Sequence, residues 1–257
     1  MCRLAAYRGP ALQLERLIHT GEHSLVTQSW ACKELQGTSL NADGFGFGWY
    51  PDAAPECYTS TLPIWSDTNL DGLGKSLQAQ HWAAYIRSAT PGQPLSLDNT
   101  QPFKWRHYLF LHNGRIENFN DGPRQALQNF LHAEVAAEIQ GNTDSEYLFA
   151  LLKHFLLQDL SPQEAMLRAN AQLTDLLGQT PAMSTLILLN GTEILCCRHA
   201  INGARCPTLY YTQNHSAFAD GLLLASERFS ETDNWETIAE HSCLHFKADN
   251  TLHHTAL

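Results

Sequence analysis

Three features of the amino-acid sequence predict an α+β domain. Short apolar runs of strand length recur through residue 111, two well-signed helices lie between residues 143 and 178, and a strand-rich stretch follows from residue 184. The 257 residues suffice for one large domain or two small ones, and either buries a substantial core. At 44% hydrophobic and 16% charged the composition is globular, with too few charges for a disordered chain. With 16 Lys+Arg against 26 Asp+Glu the net charge is −10, which argues against nucleic acid as a partner because phosphate binding needs a basic face. No stretch approaches the roughly 18 consecutive apolar residues of a membrane helix, so no membrane partner is expected.

The elements follow in order. Residues 4–7 are an apolar run that predicts a strand burying the N-terminus, and residues 12–18 carry apolar side chains at helical spacing. Residues 45–50 predict a strand punctuated by Gly44, Gly46 and Gly48. Residues 82–86 and 108–111 predict two more, each ending in polar residues, and residues 91–102 between them are loop-forming. Thr143-Asp144-Ser145-Glu146 fits a capping box, with Leu148, Leu151, Leu152, Phe155 and Leu156 following at helical spacing. Ser161-Pro162-Gln163-Glu164 fits a second, with an apolar stripe of Met166, Ala169, Leu173, Leu176 and Leu177 and a stop at Gly178. Residues 184–189 and 192–198 flank Asn190-Gly191 as a hairpin, and residues 209–212, 222–226 and 241–246 complete the strands. No repeat, low-complexity segment or linker interrupts this order, which reads as one layered domain.

Seven cysteines, at 2, 32, 57, 196, 197, 206 and 243, fit neither a disulfide scaffold nor a paired C-x-x-C metal site. Six are expected to be reduced, mostly buried thiols, and with no signal-peptide core after Arg3 and Arg8 the chain is expected in the cytoplasm. Cys2 stands apart. Removal of Met1 would free its α-amine, whose ordinary pKa is about 7.7–8, so one residue would hold a thiol nucleophile and a general base. A cysteine at position 2 also occurs by chance, and catalysis requires partners.

Cleaving an amide with such a nucleophile takes donors for the tetrahedral oxyanion and charged groups that hold the ends of a charged substrate. Phe110-Leu111-His112-Asn113-Gly114 leaves a strand and enters a turn, where the Asn113 amide and the Gly114 N–H can face an oxyanion; an ordinary Asn-Gly turn has the same sequence. Tyr85-Ile86-Arg87-Ser88-Ala89-Thr90 puts Arg87 at a strand end, where it can clamp a carboxylate with help from the Thr90 hydroxyl, or serve only a salt bridge. Asp144, in the first turn after Thr143, complements the helix dipole and can also face a ligand ammonium. Asn41-Ala42-Asp43-Gly44-Phe45-Gly46 lacks both the G-x-G-x-x-G and the P-loop spacing, which argues against a nucleotide. The thirteen histidines form no H-E-x-x-H pair and His253-His254 is expected in solvent, so neither metal nor cofactor is predicted.

Taken together, Cys2, Arg87, Asn113-Gly114 and Asp144 resemble the glutaminase domain of class II glutamine amidotransferases, in which an N-terminal cysteine attacks the glutamine side-chain amide. The resemblance implies Arg87 for the α-carboxylate, Asn113 and Gly114 for the oxyanion hole and Asp144 for the α-amino group. Asn99-Thr100-Gln101-Pro102-Phe103 is similar to the family's Asn-x-His-Pro-Phe run, with Gln101 where His is usual. The strings MCRLAAY, Leu25-Val26-Thr27-Gln28-Ser29, NADGFGFGWY, Leu62-Pro63-Ile64-Trp65, RSATPGQPL, HNG and Leu224-Ala225-Ser226-Glu227 resemble the stand-alone branch that includes the ergothioneine-biosynthesis γ-glutamyl hydrolase. The implied fold is the four-layer α/β/β/α sandwich of N-terminal nucleophile hydrolases, as a single glutaminase-like domain over residues 1–257.

With nearly all residues needed for that fold, none is left for an ammonia-accepting synthase domain, and hydrolysis of a small γ-glutamyl substrate is the expected reaction. The alternatives are a glutaminase subunit serving a separate synthase and a non-catalytic γ-glutamyl-binding module. The leaving group is left open, as is the oligomeric state, since Trp65 and Trp235 serve core or interface equally.

Overall fold

The computed structural model describes residues 1–34, 40–90, 92–213 and 215–257; Pro91, the first residue of the expected loop, lies outside them. Its strands are β1 (Arg3–Gln13), β2 (Phe45–Trp49), β3 (Glu56–Ser60), β4 (Gln78–Ile86), β5 (Phe103–Trp105), β6 (Tyr108–Ile116), β7 (Ala182–Leu189), β8 (Ile194–Ile201), β9 (Tyr210–Thr212), β10 (Leu222–Ala225), β11 (Glu236–Thr237), β12 (Ser242–Phe246) and β13 (Leu252–Ala256). Its α-helices are α1 (Leu14–His19), α2 (Leu25–Gln28), α3 (Leu70–Ser76), α4 (Pro123–Phe130), α5 (Ala133–Ala137), α6 (Asp144–Leu156) and α7 (Pro162–Leu177). One sheet has seven strands in the order β11–β9–β10–β1–β4–β2–β3, the other six in the order β13–β12–β8–β7–β6–β5. The mixed α/β expectation is met. The chain divides into two compact units, residues 1–111, 188–193 and 208–238, and residues 112–187, 194–207 and 239–257.

The first unit is organised by the alternation of β1 and its neighbours. Ala5 pairs with Ala84 and Ala225, Tyr7 with Trp82 and Leu223, and Phe45 and Phe47 with Ile86 and Ala84. One face of the sheet therefore carries Ala5, Tyr7, Phe45, Phe47, Trp82, Ala84, Ile86, Leu223 and Ala225, packed with Leu14, Leu17 and Ile18 of α1 (Leu14–His19) into one buried cluster. The opposite face, with Leu4, Ala6, Ala83, Tyr85 and Leu224, is buried as well. This double burial explains why the strands appear in the sequence as continuous apolar runs rather than as an alternation. The glycines of β2 face that second side: a Cβ on Gly46 would lie 2.3 Å from the Gln101 carbonyl, so glycine lets the 101–102 segment close onto the strand. Residues 12 and 13 extend β1 by pairing with Ala79 and Gln78, past a register shift, and only then does α1 begin. The helical spacing expected from residue 12 is overridden by that cross-strand pairing.

In the second unit, α6 (Asp144–Leu156) is buried at every residue but Glu146, and α7 (Pro162–Leu177) buries Met166, Ala169, Leu173 and Leu177. The Ser161–Glu164 capping box is present and Gly178 ends α7 at φ 56°. The Thr143 box is only half realised. Thr143 caps the Glu146 N–H, but the Glu146 carboxylate takes the Gln140 and Gly141 N–H groups, each at 2.7 Å, and so ties down the preceding loop. Asn190-Gly191 forms the expected β7–β8 turn region, with Asn190 Oδ1 accepting from the Thr192 and Glu193 N–H groups. His253 and His254 are exposed, on a C-terminal strand.

The expectation of reduced thiols fails at Cys197 and Cys243, which form a disulfide. They are directly opposed residues of β8 and β12, and their sequence separation of 46 hides the pairing from the sequence. Among the described residues no helix is long and apolar enough to cross a membrane.

Candidate active site

In the first unit the antiparallel register gathers Cys2, Arg87 and Thr90. Arg3 pairs with Ile86, so Cys2, just ahead of β1, and Arg87, just after β4, come to neighbouring strand ends. Alternation turns both away from the apolar cluster, to the face that carries Tyr85. Cys2 is buried at 9% exposure. Its Sγ accepts from the Tyr85 hydroxyl at 2.8 Å and from the Ser88 N–H at 3.3 Å, and the thiol faces the Ser88 carbonyl at 3.5 Å.

Arg87 is held through its backbone. Its N–H donates to the Gly44 carbonyl at 2.8 Å, and its own carbonyl accepts from the Asp43 N–H at 3.1 Å. The Asp43 carboxylate in turn accepts the Ala89 N–H at 2.8 Å, so the Asn41–Gly44 turn shapes the segment after β4. The Arg87 side chain, with the residue only 2% exposed, donates to the Pro94 carbonyl at 3.3 and 3.4 Å. Asn99 Nδ2 donates to that same carbonyl at 3.3 Å. Among the described residues no carboxylate pairs with Arg87, so a buried guanidinium faces only a neutral acceptor, which suits it to bind an anion. Thr90 is half-buried in the same segment.

Arg3 has the opposite arrangement. Its guanidinium pairs with Glu227, which also binds His23 Nε2 at 2.5 Å and accepts the Lys33 and Glu34 N–H groups at 3.0 and 3.1 Å. Burial alone would push the Glu227 carboxyl up, but the His23 hydrogen bond, the Arg3 charge and the two backbone donors hold it below the usual carboxylate range. Ser226, next to Glu227, exchanges hydrogen bonds with the Leu4 backbone at 3.0 Å, N–H to carbonyl and N–H to Oγ. The Leu224–Glu227 string therefore anchors the first residues of β1, a role its sequence did not indicate.

The second unit gathers Asn113, Gly114 and Asp144. The expected turn at Asn113-Gly114 is not present: both residues lie inside β6, which runs on to Ile116. A Cβ on Gly114 would lie 1.9 Å from the Met183 carbonyl of β7, so glycine serves close strand approach rather than a turn. Asn113 is 1% exposed. Asp144, at the start of α6, accepts the Ile116 N–H at 2.9 Å and the Ser145 N–H at 2.8 Å, one on each carboxylate oxygen. A carboxylate has about four acceptor sites, so capacity for a ligand cation is left. His112, one residue before Asn113, bonds Ser145 Oγ through Nδ1 at 2.8 Å and faces the Met183 carbonyl. Burial lowers the His112 pKa, against the Asp144 charge and the Met183 contact that raise it.

Sequence reasoning missed Tyr85, Ser88, Asp43 and His112 as parts of these clusters. Tyr85 looks like any strand aromatic, and the segment around Asn41, although expected to recognise substrate, carries no periodicity that says what Asp43 contacts.

Comparison with known proteins gives these clusters a context. A family model described as class-II glutamine amidotransferases matches residues 20–223. The γ-glutamyl-hercynylcysteine sulfoxide hydrolase of Mycobacterium tuberculosis is 28% identical over 243 residues, covering 93% of this chain and 90% of that protein. The Saccharomyces cerevisiae protein named probable glutamine amidotransferase DUG3 is 33% identical over 160 residues, 59% of this chain. The match covers 44% of that yeast protein, so the chain spans less than half of its length. Among solved structures, a class-II glutamine aminotransferase domain protein of Silicibacter pomeroyi superposes with TM-score 0.73 at 24% identity, over 100% of this chain and 99% of its own. Glutamine phosphoribosylpyrophosphate amidotransferase of Bacillus subtilis gives TM-score 0.67 at 15% identity, over 99% of this chain and 49% of its own. The fold of this chain is thus the fold of these proteins.

Proposed function

We propose, since this chain belongs to the class II glutamine amidotransferases, that residues 1–257 act as one catalytic module that hydrolyses a γ-glutamyl amide of a small molecule through a Cys2 thioester. The observation that carries this reading is the pairing, at neighbouring strand ends, of a buried thiol with donors on its sulfur and a buried guanidinium that faces no carboxylate among the described residues. The substrate class follows the M. tuberculosis relative, which matches over nearly its whole length and whose name is that of a γ-glutamyl hydrolase.

In this reading Met1 is removed and the Cys2 α-amine takes the thiol proton, directly or through a water. The thiolate attacks the γ-carbonyl carbon, and the Asn113 side-chain amide and Gly114 N–H hold the resulting oxyanion, donors of a kind worth about 2.7–4 kcal/mol each. Arg87 with Thr90 takes the glutamyl α-carboxylate, and Asp144 takes the α-ammonium. The ammonium of Cys2 protonates the departing amine. Water, activated by the same amine, then breaks the thioester and releases glutamate.

A panel of glutamine, γ-glutamyl peptides and γ-glutamyl-hercynylcysteine sulfoxide, assayed for glutamate release, identifies the leaving group. Cys2→Ala is expected to abolish release while the chain stays folded, and release at the parental rate would overturn the mechanism. Intact mass of the purified chain gives the state of Met1, whose retention would remove the amine from the reaction.

A further inference from the structure

The mechanism above uses the sulfur of Cys2 and leaves unused the hydroxyl nearest to it. Tyr85 is 3% exposed on β4, with Leu4 opposite it on one side and Gly46 on the other. Gly46 offers no side chain, and a Cβ there would meet the Gln101 carbonyl, so the backbone at 101 closes over the strand beside the ring. A buried phenol needs a hydrogen-bond partner, and here the proton points at Cys2 Sγ over 2.8 Å.

A neutral thiol is a weak acceptor, whereas a thiolate is a strong one, and short donor–acceptor distances accompany ionised partners. The second donor, the Ser88 N–H at 3.3 Å, comes from the backbone and adds to the first. The Ser88 carbonyl at 3.5 Å accepts the S–H of the resting thiol. Two donors thus meet the sulfur once it ionises, from the residues on either side of Ile86-Arg87.

We propose that Tyr85 is a catalytic residue, its hydroxyl donating to the Cys2 sulfur so that the thiolate is stabilised and aimed for attack. This rests on Cys2 being the nucleophile. The phenol keeps its proton throughout: the thiol proton leaves for the Cys2 amine, and as the S–C bond forms the negative charge passes from sulfur to the substrate oxygen. The hydrogen bond from Tyr85 weakens in step.

Tyr85→Phe keeps the ring and its volume and removes only the hydroxyl. The pH dependence of Cys2 alkylation by iodoacetamide, read peptide by peptide, is the test, with Cys196 as fold monitor because it is fully buried and burial pushes its thiol up to about 12. A hydrogen bond to a charged group is worth about ten- to a hundredfold, so the Cys2 midpoint is expected to rise by about one pH unit or more. The turnover number should fall about 10- to 100-fold with KM nearly unchanged, because Tyr85 contacts the nucleophile and not the Arg87 clamp. An unmoved midpoint with Cys196 still protected overturns the proposal.

A measurement on the unmutated protein is independent of how the variant folds. The ultraviolet difference spectrum of the parent against Cys2→Ser, followed as the thiol ionises, is expected to show a perturbed phenol band from Tyr85, and an unperturbed band overturns the proposal. If glutamate release is absent from every γ-glutamyl compound while the alkylation midpoint still shifts, the reaction assignment fails and the Tyr85–Cys2 pairing stands. Turnover with an unmoved midpoint gives the reverse result.

Discussion

Arg3 and Arg87 are two buried arginines at neighbouring strand ends, with 1% and 2% exposure, and they do opposite things. Arg3 is on the cluster side of its strand and is answered by Glu227, which also receives His23 and two backbone N–H groups. Arg87 is on the other side and, among the described residues, is answered only by the Pro94 carbonyl. Desolvating a guanidinium costs several kcal/mol, which a fixed carboxylate offsets during folding. A buried cation without one leaves that offset to a ligand. The difference separates a residue that holds β1 in place from one suited to hold substrate.

The sharpest way to break this contrast is Glu227→Ala. It strands the Arg3 charge and orphans the groups that Glu227 accepts, and should cost about 3–5 kcal/mol in urea or thermal denaturation. A loss under about 1 kcal/mol would mean that the Arg3 network does not hold the fold. Arg87→Ala should do the reverse. Stability is expected to change by less than about 1 kcal/mol, because no ion pair is lost, while KM for a γ-glutamyl substrate rises about 10- to 100-fold with the carboxylate contact. A stability loss matching that of Glu227→Ala would make Arg87 a fold residue.

The smallest effect concerns Arg8, the second arginine of β1. Burial, reinforced by the neighbouring Arg8 charge, lowers the pKa of His81 to about 4, with the Thr192 backbone contact opposing. The unfolded chain takes up this proton near pH 6.5 and the folded chain does not, so stability is full above 6.5 and falls as pH drops toward 4. His81→Gln should flatten the denaturation midpoint across that window. The Glu227 term lies lower: its depressed carboxyl gives stability present above about 4.3 and lost as pH falls through the folded value, a component His81→Gln leaves intact.

How much was legible varies with how local each signal is. The α7 cap, Pro162 and Gly178 were readable because capping needs only residues a few positions apart. Arg87 at a strand end and Asp144 in a first helical turn were readable for the same reason. Asn113-Gly114 misled because the pair has the chemistry of a turn, whereas its glycine answers the Met183 carbonyl some seventy residues away. Residue 12 misled because its cross-strand partner Ala79 outweighed its helical spacing. Glu227 and Tyr85 could be seen as residues but not as partners of Arg3 and Cys2.

By itself the sequence determined the α+β class, the capped helices, the order of Cys2, Arg87, Asn113-Gly114 and Asp144, and through that order the family. Those properties depend on side-chain chemistry and on backbone preferences within a turn or two of chain. Only the tertiary structure decided to which face Tyr85 and the following Arg87 turn, that Cys197 meets Cys243, and that one buried arginine has a carboxylate while its neighbour has none among the described residues. These follow from strand register, which pairs residues tens to hundreds of positions apart and reverses the exposed face with a shift of a single residue.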